Sequence, residues 1–335
     1  MKTILETLDG GTQWLEKKGI EDARRNMQLL ICHQLDMSKI QLYTSFDQQL
    51  AETELVPLRE KLKLRGEGTP LQHLLGTVEF FRREFKTDAR ALIPRPETEE
   101  LVEIAIQLAN KKLTSVPEEI LTEDLTEPSN YEDSEPEEPG EEQSPADDHE
   151  GVQAPADDHE GVQALTPKFK ILDMGCGSGV IGISLAAELG PRVEVTCADI
   201  SEEALSLAKE NSELLGIKNV TFLTSNLFSK VTESYDLIVA NLPYVPETDR
   251  PLLAPELEHD PDLALYGGKD GLDIIKIFIQ QIGKHLNDQA DIALEIGIHQ
   301  HQEVEQLLTT AGFTEITTTS DMSGISRFPT AKFQH

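Results

Sequence analysis

Apolar residues recur at spacings of three and four in the first part of the chain: Ile20, Ala23, Met27, Leu30 and Ile31, then Leu50, Leu55, Leu58 and Leu62. This period predicts helices over residues 12–64 that share a buried face, forming a small helical domain across residues 1–70. Gly66, Gly68 and Pro70 interrupt any further helix. From Leu71 onward apolar and polar positions alternate, first in LQHLLGTVEFFRRE and again over residues 85–93, as two strands of a linking hairpin at 71–93 would. Pro94 and Pro96 then fix an extended approach to a helix, with Thr98 as its expected cap and Leu101, Ile104, Ala105 and Leu108 as its apolar stripe.

The pattern changes again at Phe169. KILDMG reads as a strand and Ile181, Ile183, Leu185 and Leu189 as the apolar positions of a helix. VEVTCADI, residues 220–223, YDLIVAN and ADIALEIG supply further strands. The segments SEEALSLAKENSELLG, 274–286 and 302–311 supply helices, and FTEITTTSD and SRFPTAKF close the chain as a strand pair. Strands alternating with helices, followed by an antiparallel finish, predict an α/β fold whose mostly parallel sheet has a reversed edge. The run Leu237, Ile238, Val239, Ala240 is too uniformly apolar for a sheet with a wet face, so both faces are expected to be covered.

Composition adds one break in this plan. Residues 113–167 hold 18 acidic and no basic side chains, and the net charge of −32 falls to −14 without them. The segment ends in a perfect tandem repeat, PADDHEGVQA, at 145–154 and 155–164. Such a stretch buries too little apolar surface to offset the entropy of ordering, which predicts a disordered insertion extended by its own charge. His149 and His159 beside their Asp pairs read as products of duplication, not as metal ligands. The acidic remainder argues against broad binding to nucleic-acid backbones and favours a protein partner. Cys32, Cys176 and Cys197 lack the spacing of a disulfide framework or zinc site, pointing to a reducing cytosol. The first ten residues lack a signal-peptide core and no apolar run approaches ~18 residues, so neither secretion nor membrane insertion is expected. A monomer is the default expectation.

Two strand-end turns carry candidate chemistry. Gly175, Gly177 and Gly179, with Cys176 and Ser178 between them, let the backbone turn sharply and approach a ligand closely. Asp199 ends the next strand, where a carboxylate can accept both hydroxyls of a ribose. After the third strand, Asn226 is placed to bond an adenine edge while Leu227 packs on its face. These features together read as a nucleoside site. The second turn, Asn241-Leu242-Pro243-Tyr244, follows YDLIVA, at the carboxyl end of a strand, where ligands collect in open parallel sheets.

Asp173, Gly175, Gly177, Gly179 and Asp199 resemble the S-adenosylmethionine site of Rossmann-like class I methyltransferases. Asn241 to Tyr244 resembles their (Asn/Asp)-Pro-Pro-(Tyr/Phe) motif for methylating planar amino nitrogens. GTPLQHLLG, EFFRREF, LIPRPETEELVE, LYGGKDGLD, LEIG and GISRF all resemble the release factor glutamine methyltransferase family. A sister group acting on a ribosomal protein differs where LIPRPETE stands. The resemblance covers nearly everything outside 113–167 and implies a seven-stranded sheet at 94–335, behind a helical domain that recognises the substrate. It implies S-adenosylmethionine as cofactor, class I peptide-chain release factors as partners without a nucleic-acid requirement, and cytoplasmic N5-methylation of the glutamine in their Gly-Gly-Gln loop. In that reading Gly175 to Gly179, Asp199, Asn226, Leu227 and Asn241 hold the cofactor. Asn241 and the Leu242 carbonyl accept the amide hydrogens, Pro243 stiffens the turn and Tyr244 packs on the amide plane. The family usually has proline at the position of Leu242 and aspartate at that of Asn226. ANLPY also resembles ribosomal RNA adenine dimethyltransferases, so RNA adenine-N6 methylation is the alternative. Those enzymes place the catalytic domain first and carry a basic face.

Overall fold

The structure, a computed structural model, describes residues 2–114, 168–253 and 255–334. The insertion expected at 113–167 therefore lies outside the described residues, apart from its first two: Leu113 ends a helix and Thr114 caps it.

The N-terminal part contains α1 (Ile4–Lys17), α2 (Ala23–Leu35), α3 (Lys39–Thr44) and α4 (Glu52–Gly66). Helix α1 begins earlier than the apolar spacing predicts, because Thr3 and Glu6 form a reciprocal capping box. Ile4, Leu8, Leu15, Met27, Leu30, Ile31, Leu55 and Leu58 form one buried cluster, separate from the cores beside the main sheet. Leu50 belongs to a strand: β2 (Gln49–Leu50) pairs antiparallel with β1 (Lys2–Thr3). Two-residue strands carry no readable alternation, so the period-based assignment to a helix fails there.

The expected hairpin at 71–93 is shorter than the alternation suggests. Residues 71–75 form helix α5 (Leu71–Leu75), started behind Pro70 and ended by Gly76 at φ 72°. The strands are β3 (Thr77–Phe80) and β4 (Arg83–Lys86), joined across Phe81 and Arg82, both at positive φ. Gly76, read as part of a strand, is thus the stop of a helix.

Beyond it lies a seven-stranded sheet made of β5 (Phe169–Met174), β6 (Val193–Asp199), β7 (Val220–Thr224), β8 (Tyr235–Asn241), β9 (Leu286–Glu295), β10 (Thr314–Ser320) and β11 (Ser326–Lys332). Its order is β10-β11-β9-β8-β5-β6-β7. Pairings from β9 through β7 are parallel, and β11 runs antiparallel to both β9 and β10, as the reversed edge predicts. β9 starts at Leu286, four residues before the expected strand, which ends the preceding helix early.

Both faces of the sheet are covered. α6 (Thr98–Leu113), α7 (Val180–Leu189) and α8 (Glu202–Leu214) pack with Ile171, Leu237 and Val239 on one side. α10 (Asp273–Ile282) and α11 (His301–Thr310) pack with Leu172, Ile238 and Ala240 on the other, while α9 (Asp262–Leu265) lies in the connection before α10. Leu237, Ile238 and Val239 are wholly buried, each contributing about 1.5–3 kcal/mol of burial. The chain leaves β5 toward β6 and β7, then returns to place β8 on the other side of β5. The connections therefore diverge at the carboxyl ends of β5 and β8, the position where open α/β sheets leave a crevice. No helix among the described residues is long and apolar enough to cross a membrane.

Candidate active site

A cavity of about 1000 Å³ opens at that divergence. Register aligns its parts: Met174, the last residue of β5, pairs with Ala240 of β8, Asn241 pairs with Glu295 of β9, and Asp199 pairs with Thr224 of β7. Of the residues singled out from sequence, Gly175, Cys176, Gly177, Ser178, Asp199, Asn226, Leu227, Asn241, Leu242 and Pro243 line the cavity. Gly179 and Tyr244 do not.

The glycine turn is built from backbone. The N–H groups of Gly175 and Cys176 donate to the Ala198 carbonyl at 2.7 and 3.1 Å, tying the turn to β6. A Cβ at Gly175, which has φ 72°, would stand 2.9 Å from Leu242 Cδ2, so the two turns are in contact. A Cβ at Gly177 would meet Ala91 no closer than 3.8 Å. Gly179 has a packing reason instead: a Cβ there would strike Ile183 and Ala208, spacing α7 away from α8.

Asp199 accepts from the Gly177 N–H at 2.9 Å through Oδ2 and from the Ser201 N–H at 2.8 Å through Oδ1. Both oxygens keep lone pairs, although burial raises its pKa. Asp173 lies beneath the turn, fully buried, with Oδ2 accepting the Gly182 N–H at 2.8 Å; burial pushes its pKa up to about 7. Beyond β7, Ser225 Oγ donates to the Leu227 carbonyl at 2.6 Å and accepts from Lys230 N at 3.0 Å. This holds Leu227 at φ 44° and leaves Asn226 exposed on the wall. Free lone pairs on a strand-end carboxylate, a glycine where a side chain would intrude, and an apolar residue beside an amide fit a nucleoside-bearing cofactor.

The second turn is held from outside itself. Thr98, expected as a helix cap, makes no capping bond. It starts α6 behind Glu97, and its buried hydroxyl donates to Glu295 Oε2 at 2.8 Å. Asn241 Nδ2 donates to that same hydroxyl at 3.3 Å. The Tyr244 hydroxyl donates to Glu295 Oε1 at 3.2 Å, and the Tyr244 carbonyl accepts from Gln300 Nε2 at 3.0 Å. Burial raises the pKa of Glu295, opposed by the bond from Thr98 and the charge of Arg327; burial and the Glu295 charge push the Tyr244 phenol up. The segment between α9 and α10 packs on the same turn. A Cβ at Gly267 would lie 2.4 Å from the Pro243 carbonyl oxygen, and one at Gly271 would lie 2.2 Å from that of Tyr244.

Glu295, Gln300, Ser225 and the wall from Ala89 to Leu92 carry no isolated sequence signal. LEIG and YGGKDGLD stood out as segments, without the contact that gives them purpose. Arg95 also lines the cavity and bonds Asp260 at 3.3 Å, in the connection between β8 and α9. Arg65 of α4 reaches the same connection at Glu256, 2.5 Å away, while its Nε donates to Asn26 at 2.7 Å.

Residues 6–76 match the PrmC N-terminal domain family, and residues 165–311 match a methyltransferase domain family. Over 97% of its length the chain is 31% identical to a release factor glutamine methyltransferase of Geobacter sulfurreducens, covering 95% of that protein. It is 32% identical over 98% of its length to a Fusobacterium nucleatum protein of the same name, covering 78% of it. A Deinococcus radiodurans protein, again of that name, is 29% identical with 98% of each chain covered.

Proposed function

We propose that this chain, which belongs to the release factor glutamine methyltransferase family, methylates N5 of the glutamine in the Gly-Gly-Gln loop of class I peptide-chain release factors. The observation that carries the reading is the placement of Asn241 on the wall of a cavity shared with the glycine turn and Asp199. Full-length likeness to enzymes named for this reaction supports it, whereas RNA adenine methylation has no comparable support.

S-adenosylmethionine supplies, when bound, an electrophilic methyl group on a positively charged sulfur. Gly175 and Gly177 would admit it closely, Asp199 would accept from its ribose hydroxyls, and Asn226 with Leu227 would receive the adenine. A glutamine amide is a poor nucleophile, because its nitrogen lone pair is delocalised into the carbonyl. Asn241 Oδ1 and the Leu242 carbonyl accept its two N–H bonds and turn the lone pair toward the methyl. Pro243 limits the freedom of the turn and removes a competing donor. Positioning and preorganised dipoles then lower the barrier. The helical domain at 1–70 grips the release factor away from the reacting glutamine. The Arg65–Glu256 pair supports this division, since it links that domain to the connection whose last residue, Pro261, lines the cavity.

The test incubates the protein with methyl-labelled S-adenosylmethionine and either an unmodified class I release factor or ribosomal RNA. Label is expected in the factor and absent when the loop glutamine is changed to alanine. Label in RNA alone overturns the reading.

A further inference from the structure

An asparagine amide presents an acceptor at one end and a donor at the other, with nearly the same shape. Turned over, Asn241 would offer N–H groups to the N–H groups of an incoming amide. The site therefore needs a device that chooses the end. We infer that Glu295 is that device: acting through the Thr98 hydroxyl, it is a positioning residue that holds the Asn241 carbonyl oxygen toward the substrate.

A carboxylate only accepts hydrogen bonds, and a threonine hydroxyl has one proton to give and lone pairs to receive. Thr98 gives its proton to Glu295 Oε2 at 2.8 Å, so toward Asn241 it can act only as an acceptor. The group facing it at 3.3 Å must then be the Asn241 NH₂, which leaves Oδ1 for the cavity. Thr98 and Glu295 are 3% and 2% exposed, so water competes little for these bonds. Glu295 is also the register partner of Asn241 on the adjacent parallel strand, a placement that keeps both side chains on one face. Its other oxygen accepts the Tyr244 hydroxyl at 3.2 Å. One carboxylate thus tethers the first and last residues of the turn, one directly and one through Thr98.

This inference rests on the reading of Asn241 as the acceptor for a glutamine amide, and the experiment separates the two. Thr98→Val keeps the shape and removes the relay, Thr98→Ser keeps the hydroxyl, and Glu295→Gln introduces a donor that permits the reversed chain of bonds. For each folded variant, kcat and KM are measured with the release factor and cofactor Kd by calorimetry. Thr98→Val is expected to lower kcat about 10- to 100-fold, with KM and cofactor Kd within about twofold of the parent. Thr98→Ser should recover to within about threefold, and Glu295→Gln should fall in kcat without a matching rise in KM. A Thr98→Val enzyme with parental kcat, or a Thr98→Ser enzyme as slow as Thr98→Val, overturns the relay. If Thr98→Val does not fold, as judged by its melting curve, Glu295→Gln decides, and parental turnover there overturns it. Asn241→Ala runs alongside: if it stays active, the acceptor reading itself fails. If it is inactive while the relay variants are normal, only the inference fails.

Discussion

Two turns meet at the cavity, and they are stabilised in opposite ways. The glycine turn after β5 is nearly self-sufficient: its own amides bond to β6, its glycines take up positive φ, and Asp199 returns to it from the next strand. The Asn241–Tyr244 turn after β8 leans on Thr98 from α6, Glu295 from β9, Gln300 beside α11, and Gly267 and Gly271 before α10. In the proposed roles, the turn that holds the cofactor rests mainly on one neighbouring strand, and the turn that orients the reacting amide takes its precision from four distant segments.

The sharpest way to break this contrast is to remove the working group of each turn. Asn241→Ala should raise the barrier to methyl transfer by about 3 kcal/mol, more than a hundredfold in kcat, with a much smaller loss of cofactor affinity. Single-turnover kinetics beside cofactor calorimetry measure both, and a matching loss of affinity would mean the turns are not separable. Asp199→Ala should do the reverse, weakening cofactor binding by roughly 2 kcal/mol while sparing kcat at saturation.

The buttresses come next. Gln300→Ala removes the donor to the Tyr244 carbonyl and the acceptor of the Gly297 N–H, the latter bond being 2.8 Å long. Leaving these buried groups unpaired should cost about 2 kcal/mol of stability and about tenfold in kcat. Urea unfolding and steady-state assays check the two effects. Stability lost without activity would show that the second turn needs less outside support than its contacts imply.

The same contrast explains what the sequence made legible. Glycine spacing, a strand-end acid and the Asn-Leu-Pro-Tyr run are local, so the parallel sheet and the residues of both turns could be read in chain order. Thr98 was visible only as a helix start, because its use depends on a glutamate 197 positions away. Alternation in LQHLLGTVEF puts Gly76 in a strand and hides a five-residue helix, whose stop is a φ of 72° that composition does not reveal. Leu50 likewise fits a helical spacing until its pairing with Lys2 is known.

Each turn also stands over a buried carboxylate, and the pair differ in how they are satisfied. Glu295 receives two hydroxyl donors and feels Arg327, whereas Asp173 receives one backbone N–H and a long contact from the Cys197 thiol, both at Oδ2, and its Oδ1 meets no donor among the described residues. Burial lifts the Asp173 pKa from 3.8 to about 7. The folded protein therefore retains a proton at this residue between those values that the unfolded chain has lost. The stability so gained is complete below the lower value and disappears as pH rises through the upper one. From pH 6 to pH 7 this single group should remove about 1 kcal/mol, or a few degrees in Tm. Asp173→Asn keeps an oxygen to accept from Gly182 and cannot titrate, so its Tm relative to the parent should climb over that interval. A difference that stays flat with pH would mean that Asp173 is already ionised in the fold and that the glycine turn, like its neighbour, is backed by a solvated or partnered carboxylate.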